Sequence, residues 1–406
     1  MKTDLTKKII SFIALCLMLC MVITGCADQT PQSGDPTEAG SSATGEGTNP
    51  TEDATADQST TAPSTSAGTA TKTPGTTTST ATNAPAKVNI DLRFSSTGKF
   101  KVVILSDLRL SKSVSSTVIK NIEKVLDQEK PDLVLLGGDI HDGTIANEKD
   151  LRTILDAVNA PLEARKIPWC HTFGVDAAGT ATKKTGYSKV DQMKVYQSYP
   201  YCVSKTDFVE GNSVSNYVLP IKKSTGNKVG FNVWCLDANG YLNDYQAGLE
   251  DKVLLKGTLS GKTNLDCIHF TQRLWYYNTS VQMQKDNGGT LVPGMMYFQV
   301  APQQFRIIYK NKDRTNMVGT SAEKQYSPER ESGIVWTLYE RGDVKGLFCG
   351  YEEQNDYQGT YVNMVLAHCS TVGKTTNTAT AGARVVNISN NGSKMETSMV
   401  YVSSLK

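Results

Sequence analysis

Lys101-Val102-Val103-Ile104-Leu105-Ser106-Asp107-Leu108-Arg109-Leu110 is the stretch on which the fold turns. The run Val102 to Leu105 shows no polar alternation, which suits a strand covered on both faces, and it stops at Ser106-Asp107. Residues 114–128 carry Val118, Ile119, Ile122, Val125 and Leu126 at helical spacing on one face, and Pro131 ends that helix. A second strand, Leu133-Val134-Leu135-Leu136, runs into Gly137-Gly138-Asp139. A second one-sided helix covers residues 148–165, with Leu151, Ile154, Leu155 and Val158. A third strand, residues 167–173, ends at Gly174-Val175-Asp176. The order βαβαβ predicts parallel strands joined by right-handed crossovers. Open α/β sheets place ligands outside the carboxyl ends of their strands, where Asp107, Asp139 and Asp176 all stand.

The second half is richer in strands. Residues 216–221 and 230–237 read as consecutive strands paired through a turn near Gly226-Asn227. A helix containing Thr271-Gln272-Arg273-Leu274-Trp275-Tyr276 follows. Strands are then expected at 294–300, 346–349, 362–367 and 383–388, forming a second sheet packed on the first.

In this order, five segments resemble the calcineurin-like metallophosphoesterases, in the purple-acid-phosphatase-like group. That family holds two metals between two sheets with D-x-H, G-D, G-N-H, a lone histidine after a strand, and G-H-x-H. Ser106-Asp107-Leu108-Arg109 resembles the first, with Arg109 at the histidine. Gly138-Asp139 keeps the second. Thr172-Phe173-Gly174-Val175-Asp176 resembles the third, with Val175 for the asparagine and Asp176 for the histidine. The segment Pro293-Gly294-Met295-Met296-Tyr297-Phe298-Gln299 places Gln299 at the lone histidine. Phe348-Cys349-Gly350-Tyr351-Glu352-Glu353 puts Tyr351 and Glu353 at the last pair. The resemblance covers residues 88–406. It implies an α/β fold, an αββα sandwich of two mixed sheets flanked by helices. The implied chemistry is hydrolysis in which paired metals activate water and clamp phosphate.

Of the family's ligands only Asp107 and Asp139 remain. The four histidines, His141, His171, His269 and His368, fall at none of the ligand positions and are read as core or surface residues, with the loop of His141 expected to face the site. Losing the imidazoles removes the nitrogen ligands that suit Zn or Fe. Arg109 brings a charge that cannot be titrated away and is expected to pair with Asp107, Asp139 or Asp176 in place of a metal. One reading is therefore a pseudo-phosphoesterase, with no metal, binding an unknown envelope ligand. A second is an active phosphoesterase in which Asp107, Asp139, Asp176 and Glu353 form an oxygen-only site for Mg²⁺ or Mn²⁺ rather than Zn or Fe, acting on a phosphate-containing substrate. A third is a structural or adhesive envelope module.

The N-terminus reads as an address. Lys2, Lys7 and Lys8 precede an apolar run from Ile9 to Ile23, broken only by Ser11, shorter than the ~20 residues of a spanning helix. Thr24-Gly25-Cys26 resembles a bacterial lipobox, which implies a signal peptide over residues 1–25 and a diacylglycerol on Cys26; an ordinary secretory signal is the other reading. Residues 27–87 contain no Val, Ile, Leu, Met, Phe, Trp or Tyr. Such a segment cannot bury enough apolar surface to fold, so residues 26–87 are expected to be a lipidated cysteine and a disordered Thr/Ser/Pro-rich linker. The expected location is the outer face of the bacterial cytoplasmic membrane, with the membrane as a partner through the lipid. A formal net charge of +2 on 406 residues gives no basic field for nucleic acid. Cys170, Cys202, Cys235, Cys267, Cys349 and Cys369 show no C-x-x-C spacing. Export permits disulfides, while their apolar surroundings favour buried thiols.

Overall fold

The computed structural model describes residues 86–242, 265–373 and 378–405. The chain divides into a unit of residues 1–78 and a unit of residues 79–406, and the described residues belong to the second. The expected signal peptide, Cys26 and nearly all of the expected linker lie outside the described residues. Among the described residues no helix is long and apolar enough to cross a membrane.

The first sheet holds β1 (Phe100–Ser106), β2 (Leu133–Gly138) and β3 (Trp169–Phe173), with α1 (Ser116–Glu129) and α2 (Glu148–Ala164) as the crossovers. These strands are parallel, with Val103 opposite Val134 and Leu135 opposite Cys170. Helix α1 stops where Lys130 turns left-handed (φ 47°) and returns its N–H to Leu126 O; Pro131 then cannot extend it. Helix α2 starts at Asn147, whose side chain accepts from Asp150 N, satisfying an otherwise orphaned donor. Helices α3 (Thr180–Thr185) and α4 (Lys189–Gln197) follow β3.

The second sheet has the order β4-β5-β6-β7-β8-β10-β9, with β4 (Phe208–Glu210), β5 (Ser213–Lys222), β6 (Val229–Cys235), β7 (Gly294–Tyr297), β8 (Val344–Cys349), β9 (Gln358–Tyr361) and β10 (Met364–His368). Strands β5 and β6 are antiparallel around Gly226, whose φ of 72° a side chain would disfavour. On this half lie α5 (Phe270–Asp286), α6 (Gln304–Lys310), α7 (Lys312–Thr315) and α8 (Ile334–Arg341).

Two expectations are corrected. Residues 383–388 are not part of the second sheet: they lie in β11 (Gly382–Ser389), which pairs antiparallel with β1 and with β12 (Lys394–Tyr401), giving the first sheet the order β12-β11-β1-β2-β3. The strand expected over 294–300 ends at Tyr297, although past it Phe298 N still reaches Phe348 O and Gln299 O accepts Gly350 N outside the regular ladder.

Alternation along each strand sorts the side chains into layers. Val102, Ile104, Leu133, Leu135 and Cys170 meet Leu219, Val233, Met295 and Phe348 between the sheets. Val103, Leu105, Val134 and Leu136 pack outward on α1 and α2. Trp234, Met296, Leu347 and Leu366 pack outward against α5, α6 and α8. Full burial contributes about 1.5–3 kcal/mol per large apolar side chain, so both faces of β1 hold it in place. The architecture is the αββα sandwich of two mixed sheets.

Candidate functional site

The carboxyl ends of β1, β2 and β3 meet the segments that leave β7 and β8. Beyond β1 the chain keeps bonding to the segment after β2: Asp107 N to Gly137 O at 3.0 Å, Arg109 N to Asp139 O at 2.8 Å and Leu110 N to Ile140 O at 2.9 Å. Asp107 and Arg109 both adopt left-handed backbone, with φ of 53° and 45°. Non-glycine residues seldom hold that region, and such strain gathers at functional sites. The geometry turns both side chains toward the second sheet.

Asp107 is buried and fully engaged. It accepts from Ser106 Oγ, Gln299 Nε2 and, at 2.9 Å, Tyr351 N. Ser106 Oγ also lies 2.7 Å from Tyr297 Oη. Gln299 has no exposure, and its Oε1 accepts Val175 N at 2.8 Å. A carboxylate needs a donor and a backbone N–H needs an acceptor, so the amide can sit only this way round. Close approach is built in: a Cβ on Gly174 would land on Asp139 Oδ1 and Gln299 Oε1, and one on Gly350 would land on Asp107 Oδ2 and Ser106 Oγ.

Arg109 occupies the centre. Its Nη1 lies 2.7 Å from Asp176 Oδ2 and 3.3 Å from Asp139 Oδ2, and its Nε lies 3.2 Å from Glu353 Oε1. Asp139 Oδ1 accepts Asp176 N at 2.8 Å. The expected partners Asp139 and Asp176 are present, and Glu353 joins them. Asp107 does not pair with Arg109; its oxygens are taken up by Ser106, Gln299 and Tyr351.

Burial holds the Asp139 carboxyl well above the usual carboxylate range, reinforced by the charges of Asp176 and Asp107 and opposed by Arg109. Burial likewise raises Asp107, against the hydrogen bonds of Ser106 and Gln299. Burial works against the Arg109 cation, but Asp139, Asp176, Glu353 and Asp107 together hold its pKa above the ordinary arginine value. The guanidinium is a permanent charge here.

Of the other positions singled out in the sequence, Val175 turns its side chain into an apolar group with Ala238, Leu265 and Val300. Tyr351 supplies its backbone N–H to Asp107 and packs against that same group with Tyr241 and Tyr326. His141 does not serve the site. It is buried, with Nε2 3.2 Å from Gln192 Oε1 and Nδ1 accepting Gly143 N. His171 stacks on Tyr196 with centroids 3.8 Å apart. His269 caps α5 and contacts Asp266 at 2.9 Å. His368 lies 3.6 Å from Glu352. Burial pushes that imidazole down to about 3, so it is neutral near pH 7, and holds the Glu352 carboxyl well above the usual carboxylate range. Ser106, Tyr297 and Thr371, whose Oγ1 donates to Asp107 O at 2.9 Å, belong to the site and were not picked out from sequence. Tyr297 stands two residues before Gln299, the one signal that could have found it.

No family model matches the chain. Its relatives include probable inactive purple acid phosphatase 14 of Arabidopsis thaliana, 24% identical over 297 residues, covering 66% of this chain and 68% of the relative. Probable inactive purple acid phosphatase 29 of the same plant is 25% identical over 306 residues, covering 68% and 72%. These relatives are purple-acid-phosphatase-like, and the chain is similar to calcineurin-like metallophosphoesterases whose metal site is degenerate. Phosphatase DCR2 of Saccharomyces cerevisiae is 26% identical over 291 residues, covering 66% of this chain and 46% of that protein. Among solved structures, a dimetal phosphatase from Danio rerio aligns with a TM-score of 0.43 and 11% identity, over 73% of this chain and 98% of that one. GAP50 of Plasmodium aligns with a TM-score of 0.44 and 10% identity, over 76% and 86%.

The residues present do not fit the family's metal pair. Among the described residues no three His, Cys, Asp or Glu side chains converge as a ligand set. The side-chain nitrogens that enter the site, Arg109 Nη1 and Nε and Gln299 Nε2, are hydrogen-bond donors without lone pairs for a metal.

Proposed function

We propose that this domain is a pseudo-phosphoesterase, a ligand- or partner-binding module that keeps the phosphoesterase fold without its hydrolytic centre. The observation that carries the reading is Arg109, whose guanidinium bonds Asp139, Asp176 and Glu353 together. In an active centre the metals' charge draws in the phosphate and activates water. Here four carboxyl groups face one guanidinium, so a phosphate ester meets a site with no surplus of positive charge. The word "inactive" in the names of two plant relatives agrees with this. The domain is presented outside the bacterial cytoplasmic membrane, anchored by lipid on Cys26 and set off from the membrane by residues 27–87. The lipobox-like Thr24-Gly25-Cys26 and the composition of that segment support this part of the reading.

The test joins metal analysis to turnover. Protein purified, soaked in Mn²⁺ and desalted is measured for bound metal, and for hydrolysis of p-nitrophenyl phosphate and its diester. The expected result is sub-stoichiometric metal and no turnover above an Asp139→Ala control. Stoichiometric metal with turnover abolished by Asp139→Ala would overturn the reading. It would favour the oxygen-only Mg²⁺ or Mn²⁺ site, for which the excess of carboxyl groups over cations is the supporting observation.

A further inference from the structure

The two sheets converge at one edge, where β3 meets β5 and β6. Thr172 Oγ1 lies 2.9 Å from Ser215 Oγ and donates to Leu236 O at 2.9 Å. Phe173 N donates to Ser215 Oγ at 2.8 Å, and Tyr217 Oη donates to His171 O at 2.6 Å. Cys170 precedes Thr172 by two residues and so shares its face of the strand. Cys235 sits opposite Tyr217 in the β5–β6 register, beside Leu236. One pleat away from the Thr172–Ser215 contact, Cys170 and Cys235 therefore face each other from different sheets. Both are without exposure in the intersheet core, and Cys235 lies close enough to act electrostatically on Cys170. The neighbouring Cys202 packs instead in the helix-side core, with its Sγ on Ser204 Oγ at 3.4 Å.

We propose that Cys170 and Cys235 form a redox pair whose oxidation closes a covalent bond between the two sheets. All six described cysteines are thiols in this structure, which is the reduced form. The oxidant is a low-molecular-weight disulfide. One cysteine thiolate attacks it and releases a thiol. The second then attacks the mixed disulfide and releases another. Two electrons pass to the external disulfide, the two protons leave on the released thiols, and one S–S bond forms. Because both sulfurs are buried, exchange occurs while the edge is open during folding. Disulfide closure needs Cα atoms about 4.4–6.8 Å apart, a separation that ordinary face-to-face sheets, about 10 Å apart, reach only where they converge.

The test refolds the full-length protein with cystine, alkylates it in denaturant and maps peptides without reduction. The expected result is a cross-linked pair of peptides carrying Cys170 and Cys235, with Cys202, Cys267, Cys349 and Cys369 alkylated. The urea midpoint rises on oxidation and returns on adding a reductant. Alkylation of all six domain cysteines, or a Cys170–Cys202 link, would overturn the proposal. In Cys235→Ala, Cys170 is expected to be alkylated, and a Cys170 cross-link that persists there would also overturn it. Wild-type mapping decides the matter if that variant does not fold.

Discussion

Replacing Arg109 by alanine tests the claim that a guanidinium stands where a metal would. Three contacts are lost. The Glu353 and Asp176 side chains are 29% and 16% exposed and that of Arg109 is 38% exposed, so these two pairs contribute no more than about 0–1 kcal/mol each. Asp139 differs because its side chain has no exposure. Removing one partner of a buried pair costs about 3–5 kcal/mol, a ceiling here, since Arg109 is partly solvated and Asp139 can escape by taking up a proton. A loss of about 3 kcal/mol is expected near pH 8. The pH dependence follows from the sign of the shift. Burial already raises the folded pKa of Asp139 above its unfolded value, and losing the cation raises it further. The stability associated with protonated Asp139 is present below the unfolded pKa and is lost as pH rises through the folded one. The variant therefore falls behind wild type as pH rises, with a deficit near about 1 kcal/mol at pH 5. The vacated carboxylates should then accept a divalent cation. Mn²⁺ at a hundredfold excess over its Kd would restore about 2.7 kcal/mol to the variant and do little for wild type. Urea unfolding followed by tryptophan fluorescence, at both pH values and with and without Mn²⁺, measures all of this. A deficit under about 0.5 kcal/mol at pH 8, or equal stabilisation of wild type and variant by Mn²⁺, would refute the reasoning.

Other outcomes can be checked with the same assay. Lys189 Nζ lies 2.6 Å from Asp237 Oδ1 with both side chains buried, so Lys189→Met should cost about 3–5 kcal/mol, and adding Asp237→Leu should recover part of it; additive losses would show the pair is not coupled. Gly174→Ala drives a methyl onto Asp139 and Gln299 and should cost about 1–3 kcal/mol, with a thermal midpoint equal to wild type counting against the packing described. His368 is depressed from 6.5 to about 3, so its contribution is present above pH 6.5 and is lost as pH falls toward 3. His368→Gln should flatten that acid limb, and an unchanged acid midpoint would contradict it.

The three parallel strands and their crossover helices were legible because each signal is local: β-branched runs, one-sided helical spacing, and glycine or aspartate at the strand ends. Membership of β11 in the first sheet was not legible. Residues 383–388 reach β1 across nearly the whole sequence, and alternation along a strand does not name its neighbour. The exit at Tyr297 was hidden for a related reason, since Phe298 to Val300 remain apolar after leaving the sheet. In the site, residue order placed Asp107, Arg109, Asp139, Asp176, Gln299 and Glu353 together. What sequence could not supply was the division of labour. Gln299 takes Asp107 and frees Arg109 for the other three carboxyls, a choice set by left-handed backbone at Asp107 and Arg109 that ordinary residue types do not announce. His141 misled because proximity along the chain to Asp139 does not decide which way a ring turns.

A guanidinium differs from a metal ion in one practical respect: it is made by the ribosome. The cation at the centre of this site is carried on residue 109, so it arrives whenever the chain folds. No loading step, no scavenging of scarce ions and no chaperone for delivery is called for, and a chelator has nothing to strip. Under the export proposed above, the centre would be complete at every concentration of manganese or iron outside the cell.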